Sequence, residues 1–393
     1  MSKLPLKIVY VSNVFWPETK FSKQELTLEL SKDHQVTYIN PSWHILSALK
    51  NMKRWKYLLS RKIQVNENLK IINVFGFFPW HRFKATAKIH EILIERAIRK
   101  NSDASLDVII FTNPADYKIP LKFKYPTNFW HWTDDYAAMP ERNGKHISWQ
   151  QVAMAKNVDA VLACSNALAE KASLYNPKTF LFRNACNPES FSKVNKNIIY
   201  DLKQLPKPII GFQGTVNERI DKEMLEKVIA DNKHFSFVFV GNTETKLQQQ
   251  LNYSNVFFYP AQPKESLGSI IDSFDVGFLP YKDNLFNRSS NPLKIYEYLL
   301  LGKPVVSFNL DLKNEFEGHL YQAEIVADFA KTVRLAITDN HGRKEQRMRF
   351  AYENTWLKRA NQFENIIEKL RLDEEINYFR ETTIKKEVKE KVQ

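Results

Sequence analysis

The amino-acid sequence predicts an α/β protein of two domains, each built on a parallel sheet that helices cover on both faces. Two blocks of the chain alternate short apolar runs with helical stretches, as buried parallel strands and their crossover helices do. Residues 192–207 separate the blocks and contain Lys, Asn and Pro without a long apolar period, which is typical of a linker. The length of 393 residues also favours two domains over one.

The first block, residues 1–195, is expected to begin with a strand at 7–12. Ser22 precedes Glu25 by three positions and stands ahead of Leu26, a pattern that predicts a capped helix from residue 22 to about 32. The later strands of this block are predicted at 36–39, 108–111, 128–132, 160–164 and 179–182.

The second block, residues 196–360, repeats the alternation. Helices are expected near 222–230, 264–273 and 292–301, and the chain should be helical again from 329 to about 370. Residues 361–393 are assigned to a last helix and a charged tail. The tail, residues 380–393, is poor in apolar residues and is expected to be frayed. The strands of this block are predicted at 209–213, 235–240, 256–259, 276–279 and 305–308.

Residues 287–306 form the most specific stretch of the chain. Asn291 is expected to cap a helix, with Pro292 at its first position and Gly302 at its left-handed end. The free N–H groups of such a helix, beside the hydroxyls of Ser289 and Ser290, suit a diphosphate.

Lys294 and Glu297 are three positions apart and therefore lie on one face of the same predicted helix. The ammonium group could meet a phosphate while the carboxylate accepts hydrogen bonds from ribose hydroxyls. An ordinary helical salt bridge is the alternative, worth a few tenths of a kcal/mol. The neighbouring serines, the cap and the Gly-Lys-Pro ending favour the ligand-binding interpretation.

Asp134 and Asp135 follow a predicted strand end of the first domain, where α/β proteins bind ligands. Either carboxylate could orient an acceptor hydroxyl or act as a base, although caps and surface loops use Asp-Asp as readily. The neighbouring His131 lies among aromatic residues and is interpreted as a packed, hydrogen-bonded histidine. No Asp-x-Asp occurs in the chain, which argues against a metal-dependent site.

The net charge of +13 is concentrated between Ser42 and Lys100, where thirteen Lys or Arg face three Glu. This basic region is also rich in Trp and Phe, and the combination suits an anionic membrane surface. A solvated helix face is the alternative. Its basic residues are Lys50, Lys53, Arg54, Lys56, Arg61, Lys62, Lys70, Arg82, Lys84, Lys88, Arg96, Arg99 and Lys100.

The cysteine count, the N-terminal pattern and the motifs of the chain argue against a disulfide-rich protein, a secreted or membrane-spanning protein and a nucleic-acid-binding protein. Cys164 and Cys186 are too few for a disulfide framework and are interpreted as small buried residues. The sequence begins without the pattern of a secretion signal or a spanning helix, so we expect a cytoplasmic protein. A nucleic-acid-binding protein is disfavoured, because the sequence has no RNP-like motif, helix-turn-helix spacing or zinc pattern.

Residues 292–306 resemble the donor-site signature of family 4 glycosyltransferases and their teichuronic-acid and capsule relatives. Residues 211–221 resemble the pyrophosphate loop of these enzymes, and residues 274–280 resemble the strand that leads to the donor loop. Residues 184–191 are similar to the end of their first domain. Residues 354–360 are similar to their C-terminal helix, which crosses back over that domain.

The resemblance implies the GT-B fold, in which two Rossmann-like domains face each other across a cleft, with the acceptor on the first and the donor on the second. It implies transfer of a sugar from a nucleotide diphosphate sugar to a cell-envelope polysaccharide or lipid-linked glycan, with retention of configuration. The nucleotide sugar is a co-substrate, and no further cofactor is expected. A sugar-nucleotide epimerase, which shares the architecture, is the alternative.

The resemblance also assigns residues of the donor site. The pyrophosphate loop carries Gly214 and Thr215, and Arg219 stands in the place of the family's lysine. Glu297 corresponds to the second of two glutamates that flank the donor in much of the family. Ser289 occupies the position of the first glutamate, so no acidic residue is expected there.

Overall fold

The two predicted blocks form two separate parallel sheets. A computed structural model describes residues 4–16, 22–44, 60–76, 84–102, 105–139, 144–192, 202–308 and 316–390 of the chain. Within these residues, one sheet has eight strands, the other has six, and a two-stranded pair lies apart from them. The predicted fold class is therefore confirmed.

The eight-stranded sheet belongs to the first domain and has the order β10-β9-β8-β7-β1-β2-β5-β4. All of its neighbouring strands are parallel except β4 and β5. The strands are β1 (Lys7–Val11), β2 (Gln35–Ile39), β4 (Lys62–Asn66), β5 (Leu69–Ile72), β7 (Val108–Phe111), β8 (Thr127–Trp132), β9 (Ala160–Ala163) and β10 (Thr179–Leu181), while β3 (Trp43–His44) and β6 (Phe75–Gly76) form the separate pair.

Helices pack on both faces of this sheet and bury two layers of apolar side chains. Ser165 caps one of them by accepting a hydrogen bond from the backbone of Leu168 at 3.3 Å. The described helices of this domain are α1 (Ser22–Leu30), α2 (Lys84–Asn101), α3 (Gly144–Asn157), α4 (Asn166–Ser173) and α5 (Glu189–Ser192).

The sequence did not predict the antiparallel hairpin of β4 and β5. All but one residue of β4 are exposed, so this edge strand has no apolar run to mark it. Strand β5 is largely buried and pairs in parallel with β2. Both strands fall in the basic region, where charge obscured the short apolar run of β5.

The six-stranded sheet belongs to the second domain and has the order β13-β12-β11-β14-β15-β16, all parallel. Its strand order reverses between β11 and β14, and ligands of doubly wound sheets bind at such a switch point. The strands are β11 (Ile209–Gln213), β12 (Ser236–Val240), β13 (Val256–Tyr259), β14 (Val276–Leu279), β15 (Val305–Phe308) and β16 (Leu320–Ala323).

The helices predicted at 222–230, 264–273 and 292–301 lie within one residue of their expected ends, whereas the single helical stretch predicted from 329 to about 370 is divided into three helices. Two short helices and β16 were not predicted. The helices have six and four residues, too few for a periodic signal, and three of the four residues of β16 are only partly buried. The helices are α6 (Lys222–Asp231), α7 (Thr245–Gln250), α8 (Lys264–Asp272), α9 (Leu285–Arg288), α10 (Leu293–Leu300), α11 (Phe329–Thr338) and α12 (Asn340–Glu353).

The last helix, α13 (Trp356–Glu390), returns to the first domain. Its residues Trp356, Phe363 and Leu370 are buried in the same apolar layer as Ile8 and Leu26. The helix begins at residue 356, before the predicted boundary at 361, and continues through the segment that was expected to be a frayed tail. Among the described residues, no helix is both long and apolar enough to cross a membrane.

Candidate functional site

The loop after β11 and the helix α10 meet at the switch point of the second sheet. Gly214 has a φ of +124°, which favours glycine, and a Cβ at this residue would lie 2.6 Å from Lys294 Cε. Lys294 Nζ also lies 5.1 Å from the centre of the Phe212 ring. The predicted pyrophosphate loop and the predicted phosphate-binding lysine are therefore in contact, and the adjacent Thr215 is exposed.

Arg219 extends along the same edge of the sheet and is held in place by several groups. Its Nε donates to Asn287 Oδ1 at 2.9 Å, and its Nη2 donates to Ser290 Oγ at 3.1 Å. The guanidinium lies 4.8 Å from the ring centres of both Tyr281 and Phe286. Aromatic faces on a guanidinium stabilise its charge and restrict its orientation.

Asn287 is a site residue that sequence reasoning missed. It is fully buried, and its Nδ2 donates to the carbonyl oxygens of Arg219 and Lys282 at 3.2 and 3.0 Å. Its side chain therefore fixes both the backbone and the guanidinium of Arg219. The signal was present, since Asn287 begins the most specific stretch, but nothing in the sequence connects it to a loop 68 residues away.

The cations of the site lack carboxylate partners. Among the described residues, neither Arg219 nor Lys294 forms an ion pair, whereas nearby Arg288 pairs with Asp283. Burial would raise the pKa of Tyr281, but the positive charges of Lys294 and Arg219 lower it overall. The edge of the sheet therefore has a positive potential that an anionic ligand would neutralise.

Glu297 lies on the same face of α10 as Lys294, as its spacing predicted. Gln213 Nε2, at the end of β11, donates a hydrogen bond to its carboxylate. Burial raises the pKa of Glu297, Lys264 and Lys294 lower it, and Glu25 raises it. This carboxylate can accept hydrogen bonds from a neutral polyol beside the two cations.

The expected cap of α10 is wrong. Pro292 occupies the cap position, no side chain caps this end of the helix, and Leu293 is its first residue. Asn291 instead accepts hydrogen bonds from Asn184 N at 2.9 Å and from the Tyr296 hydroxyl at 3.2 Å. The other end is as predicted, because Gly302 has a φ of +70°.

Ser289 and Ser290 are buried, and their hydroxyls donate to carbonyl oxygens of the preceding turn. Ser289 also joins the domains, since its carbonyl oxygen accepts from Ser165 Oγ at 2.7 Å. With the bonds between Asn184 and Asn291, these contacts fix the loop 289–291 against the first domain. Direct contact of these three side chains with a donor stays a prediction.

The two adjacent aspartates have different surroundings. Asp134 lines a cavity of about 290 Å³ between the domains. Asp135 is buried, pairs with Lys171 at 3.0 Å and accepts from Gln151 at 3.1 Å. This arrangement favours Asp134 for a role in the cleft. The cavity is lined by Asp134, Met139, Asn217, Glu218, Arg219, Asn284 and Phe286.

The interpretation of three residues as structural is confirmed. His131 is buried, its Nδ1 lies 2.8 Å from the Tyr10 hydroxyl, and burial lowers its pKa to about 3. Cys164 and Cys186 are buried, and their thiols donate to the carbonyl oxygens of Thr133 and Ala351. The described part of the chain contains no group of three His, Cys, Asp or Glu side chains that could hold a metal ion.

The basic region is described only in part. Lys50, Lys53, Arg54, Lys56 and Arg82 lie outside the described residues. Of the others, Lys88, Arg96, Arg99 and Lys100 are exposed on α2, as a solvated helix face requires. The membrane interpretation therefore stays a prediction.

Residues 207–339 match the protein family described as "Glycosyl transferases group 1". A stretch of 107 residues is 34% identical to TuaH of Bacillus subtilis (strain 168), whose name assigns it as a glycosyltransferase of teichuronic acid biosynthesis. That alignment covers 26% of this chain and 27% of the relative, so it spans about a quarter of either protein.

Solved structures resemble the whole chain. Sucrose-phosphate synthase from Thermosynechococcus elongatus aligns with a TM-score of 0.71 at 14% identity, over 94% of this chain and 100% of its own. HepE from Anabaena, solved with UDP and glucose, aligns with a TM-score of 0.67 at 13% identity, over 92% and 99%. Residues 207–339 are therefore similar to group 1 glycosyltransferases, and they lie within a chain that has the two-domain GT-B fold.

Proposed function

We propose that this protein transfers a sugar from a nucleoside diphosphate sugar to a cell-envelope polysaccharide or a lipid-linked glycan. The donor binds at the carboxyl edge of the second sheet, and the acceptor approaches from the first domain. The name of the Bacillus relative supports an envelope glycan as the acceptor class. The resemblance to family 4 enzymes supports retention of anomeric configuration.

One observation carries the proposal: Arg219 and Lys294 converge, without carboxylate partners in the described structure, beside Gly214 and the uncapped end of α10. Two fixed cations and a helix N-terminus suit a diphosphate. Glu297, one helical turn from Lys294, then suits the ribose. Asp134 and Arg219 both line the cavity of about 290 Å³. Asp134 is therefore the first-domain carboxylate that could orient an acceptor hydroxyl.

In the proposed reaction the acceptor oxygen forms a bond to the anomeric carbon while the bond from that carbon to the diphosphate oxygen breaks. Negative charge develops on the departing diphosphate, where Arg219, Lys294 and the N–H groups of α10 stabilise it. These groups are held before the donor arrives, so little reorganisation is needed at the moment of reaction. The acceptor proton leaves to a base at the cleft, for which Asp134 is the candidate.

A panel of nucleotide sugars tests the donor assignment. UDP-, GDP-, ADP- and TDP-sugars are compared for thermal stabilisation, because a ligand that binds the native state raises its apparent stability. UDP-sugars come first, since HepE was solved with UDP and glucose. If no nucleotide sugar raises the melting temperature, the proposed donor site is wrong.

The variant Glu297→Ala is predicted to abolish transfer with little loss of stability, because the proposal makes this carboxylate a donor contact and it is not part of the apolar core. Lys294→Ala should mainly weaken donor affinity, by about 1.5–3 kcal/mol, through loss of a charge-assisted hydrogen bond. Turnover, donor affinity and melting temperature are measured on both variants. Near-normal turnover of a folded Glu297→Ala protein contradicts the proposal.

A sugar-nucleotide epimerase remains the second candidate, since it would use the same donor groups. It would convert the nucleotide sugar without an acceptor. Incubation with the donor alone separates the two activities: a changed nucleotide sugar supports the epimerase, and dependence on an added glycan supports the transferase.

A further inference from the structure

The cavity of about 290 Å³ between the domains carries two carboxylates that no ion pair neutralises. Asp134 lines it from the first domain and the exposed Glu218 from the second. Neither forms an ion pair within the described part of the chain. Arg219 lines the same cavity, but its guanidinium is held by Asn287 and Ser290. The lining therefore carries more negative than positive charge.

Two asparagines of the second domain contribute hydrogen-bond donors to the same cavity. Asn217 Oδ1 accepts from the backbone of Arg219 at 3.2 Å. Asn284 Oδ1 accepts from the backbone of Asn287 at 2.8 Å and thereby caps α9. These bonds turn both oxygens toward the backbone, and neither Nδ2 group donates to the described part of the protein. The cavity therefore offers amide donors as well as carboxylate acceptors.

The rest of the lining is apolar and comes from Met139 and Phe286. The volume of about 290 Å³ is at the lower limit of the roughly 300–1,000 Å³ that ligand sites occupy, so it suits one ring and not a chain of them. A sugar ring has C–H groups on its faces and hydroxyls at its rim, and each hydroxyl both donates and accepts. Donors, acceptors and an apolar surface in a cavity of this size match such a ring.

We propose that this cavity holds the terminal sugar of the acceptor, and that Asp134 and Glu218 restrict it to a sugar without an acidic group. The inference rests on the transfer reaction proposed above and names the acceptor class for it. Glu218 is then a residue that determines specificity, and the amides of Asn217 and Asn284 bind the hydroxyls of the same sugar.

Charge separates the sugars that fit from those that do not. The hydroxyls of a neutral sugar can donate to the two carboxylates and accept from the two amides, so every polar group gains a partner. A uronate or a sugar phosphate would place a further negative charge beside Asp134 and Glu218, and like charges at such a distance repel. The Arg219 guanidinium is held for the diphosphate and does not offset them. Repulsion of a wrong ligand is a common source of specificity.

Saturation-transfer NMR measures sugar binding to the full chain directly, without turnover. Methyl glycosides of glucose, galactose, mannose and N-acetylglucosamine, in both anomeric forms, are compared with methyl glucuronides and galacturonides. We expect at least one neutral glycoside to bind at millimolar concentration, and its uronide to bind about fivefold more weakly at low ionic strength. If no neutral glycoside binds, or if the uronides bind as well, the proposal is overturned.

Two changes of Glu218 test its part in the selection. Glu218→Lys places a cation in the cavity and should reverse the preference, raising uronide affinity relative to the neutral glycoside by about tenfold. Glu218→Gln removes only the repulsion and should raise that ratio by up to about fivefold. Because Glu218 is exposed, both variants should keep the melting temperature of the unaltered protein.

Asn284→Asp separates sugar binding from helix capping. The substitution keeps the oxygen that caps α9 and replaces the Nδ2 donor by a second carboxylate oxygen. Neutral glycosides should bind more weakly, and uronides more weakly still. An asparagine that served only as a cap would give no change in sugar binding, since aspartate caps a helix as well as asparagine does.

Glu345→Lys is the matched control. Glu345 is exposed on α12 of the second domain and does not line the cavity, so the substitution makes the same change in net charge elsewhere. It should leave the sugar preference in place. A reversal in Glu345→Lys as large as that in Glu218→Lys would assign the effect to net charge and overturn the proposal.

Calorimetric binding of UDP and GDP separates this inference from the proposed function. A neutral preference that Glu218→Lys reverses supports the sugar site even if neither nucleotide binds, and that outcome contradicts the proposed donor site. Nucleotide binding, together with a sugar preference that Glu218→Lys leaves unaltered, supports the donor site and overturns the inference.

Discussion

Two cations of the proposed donor site are positioned by uncharged partners. Arg219 is fixed by the Asn287 amide, a serine hydroxyl and two aromatic faces, and Lys294 lies against a glycine. Amides and rings restrict a cation without neutralising it, whereas a carboxylate would do both. The full charge of the cations therefore stays directed at the ligand.

Gly214→Ala is predicted to weaken donor affinity more than stability. A Cβ would meet Lys294 Cε at 2.6 Å, and the flexible lysine can move away, but only by leaving its binding position. The positive φ adds about 1–2 kcal/mol of backbone strain. Calorimetric binding of the donor and thermal unfolding are compared. The exposed helical Gly342 provides the control, since a Cβ there meets no atom within 4 Å. Unchanged donor affinity in Gly214→Ala would refute the close contact as a binding determinant.

Transfer is predicted to survive chelation. Arg219, Lys294 and the N-terminus of α10 supply the positive charge that a metal ion supplies in other transferases. Turnover is measured before and after dialysis against EDTA, with magnesium or manganese added back. Loss of activity in EDTA and its recovery on adding either metal would contradict this site.

The ends of two helices, as well as their packed faces, contribute to the proposed site and to the contact between the domains. Helix α10 begins without a side-chain cap and ends at a left-handed glycine. Its first N–H groups are therefore available to the diphosphate that we propose. Helix α13 links the domains, since it starts beside Cys186, to which the Trp356 backbone donates at 3.1 Å, and continues into the core of the first domain.

The crossing helix should contribute to the stability of the first domain. Leu370 is 2% exposed on α13, so Leu370→Ala is expected to lower the free energy of unfolding by about 2–5 kcal/mol through lost burial and a residual cavity. Leu372 lies on the same helix and is 58% exposed, which makes Leu372→Ala the matched control, with a change within about 0.5 kcal/mol. Urea unfolding gives both values. Equal effects of the two substitutions would show that α13 does not pack as described.

The whole molecule joins a basic first domain to a second domain for which we propose donor binding. Contacts between Asn184 and Asn291, Ser165 and Ser289, and Glu25 and Lys264 cross the junction beside the donor loop. Donor binding and the relative position of the domains should therefore be coupled, since the same loop takes part in both.

The basic region is predicted to bind the protein to anionic membranes. Each cation near such a surface contributes about 1 kcal/mol, so several together give reversible binding that salt weakens. Changing Lys50, Lys53, Arg54 and Lys56 to Gln should release the protein from phosphatidylserine-containing vesicles while turnover on a soluble acceptor mimic is retained. If the unaltered protein does not sediment with these vesicles at low ionic strength, the basic residues are a solvated face or a contact for an anionic acceptor.

The sequence by itself determined the two-domain parallel fold and most element bounds. Strands at 256–259, 276–279 and 305–308 were predicted to the residue, because each is a short apolar run bounded by turns. The face that Lys294 shares with Glu297 was also predicted, since helix spacing is a local property, whereas the family resemblance alone implied that Lys294 and the Gly214 loop serve one site. Strand β4 was missed because an exposed edge strand leaves no such run.

Only the tertiary structure decided which polar groups meet. Asn291 bonds to Asn184 and does not cap its helix, Glu25 pairs with Lys264, and Asp135 is occupied by Lys171 while Asp134 faces the cavity. A hydrogen bond or ion pair needs atoms within about 3 Å of each other. The two residues of each of these pairs are distant in sequence, so their atoms meet only after whole elements have packed. Apolar burial is encoded locally, whereas the partner of a polar side chain is a property of the assembled fold.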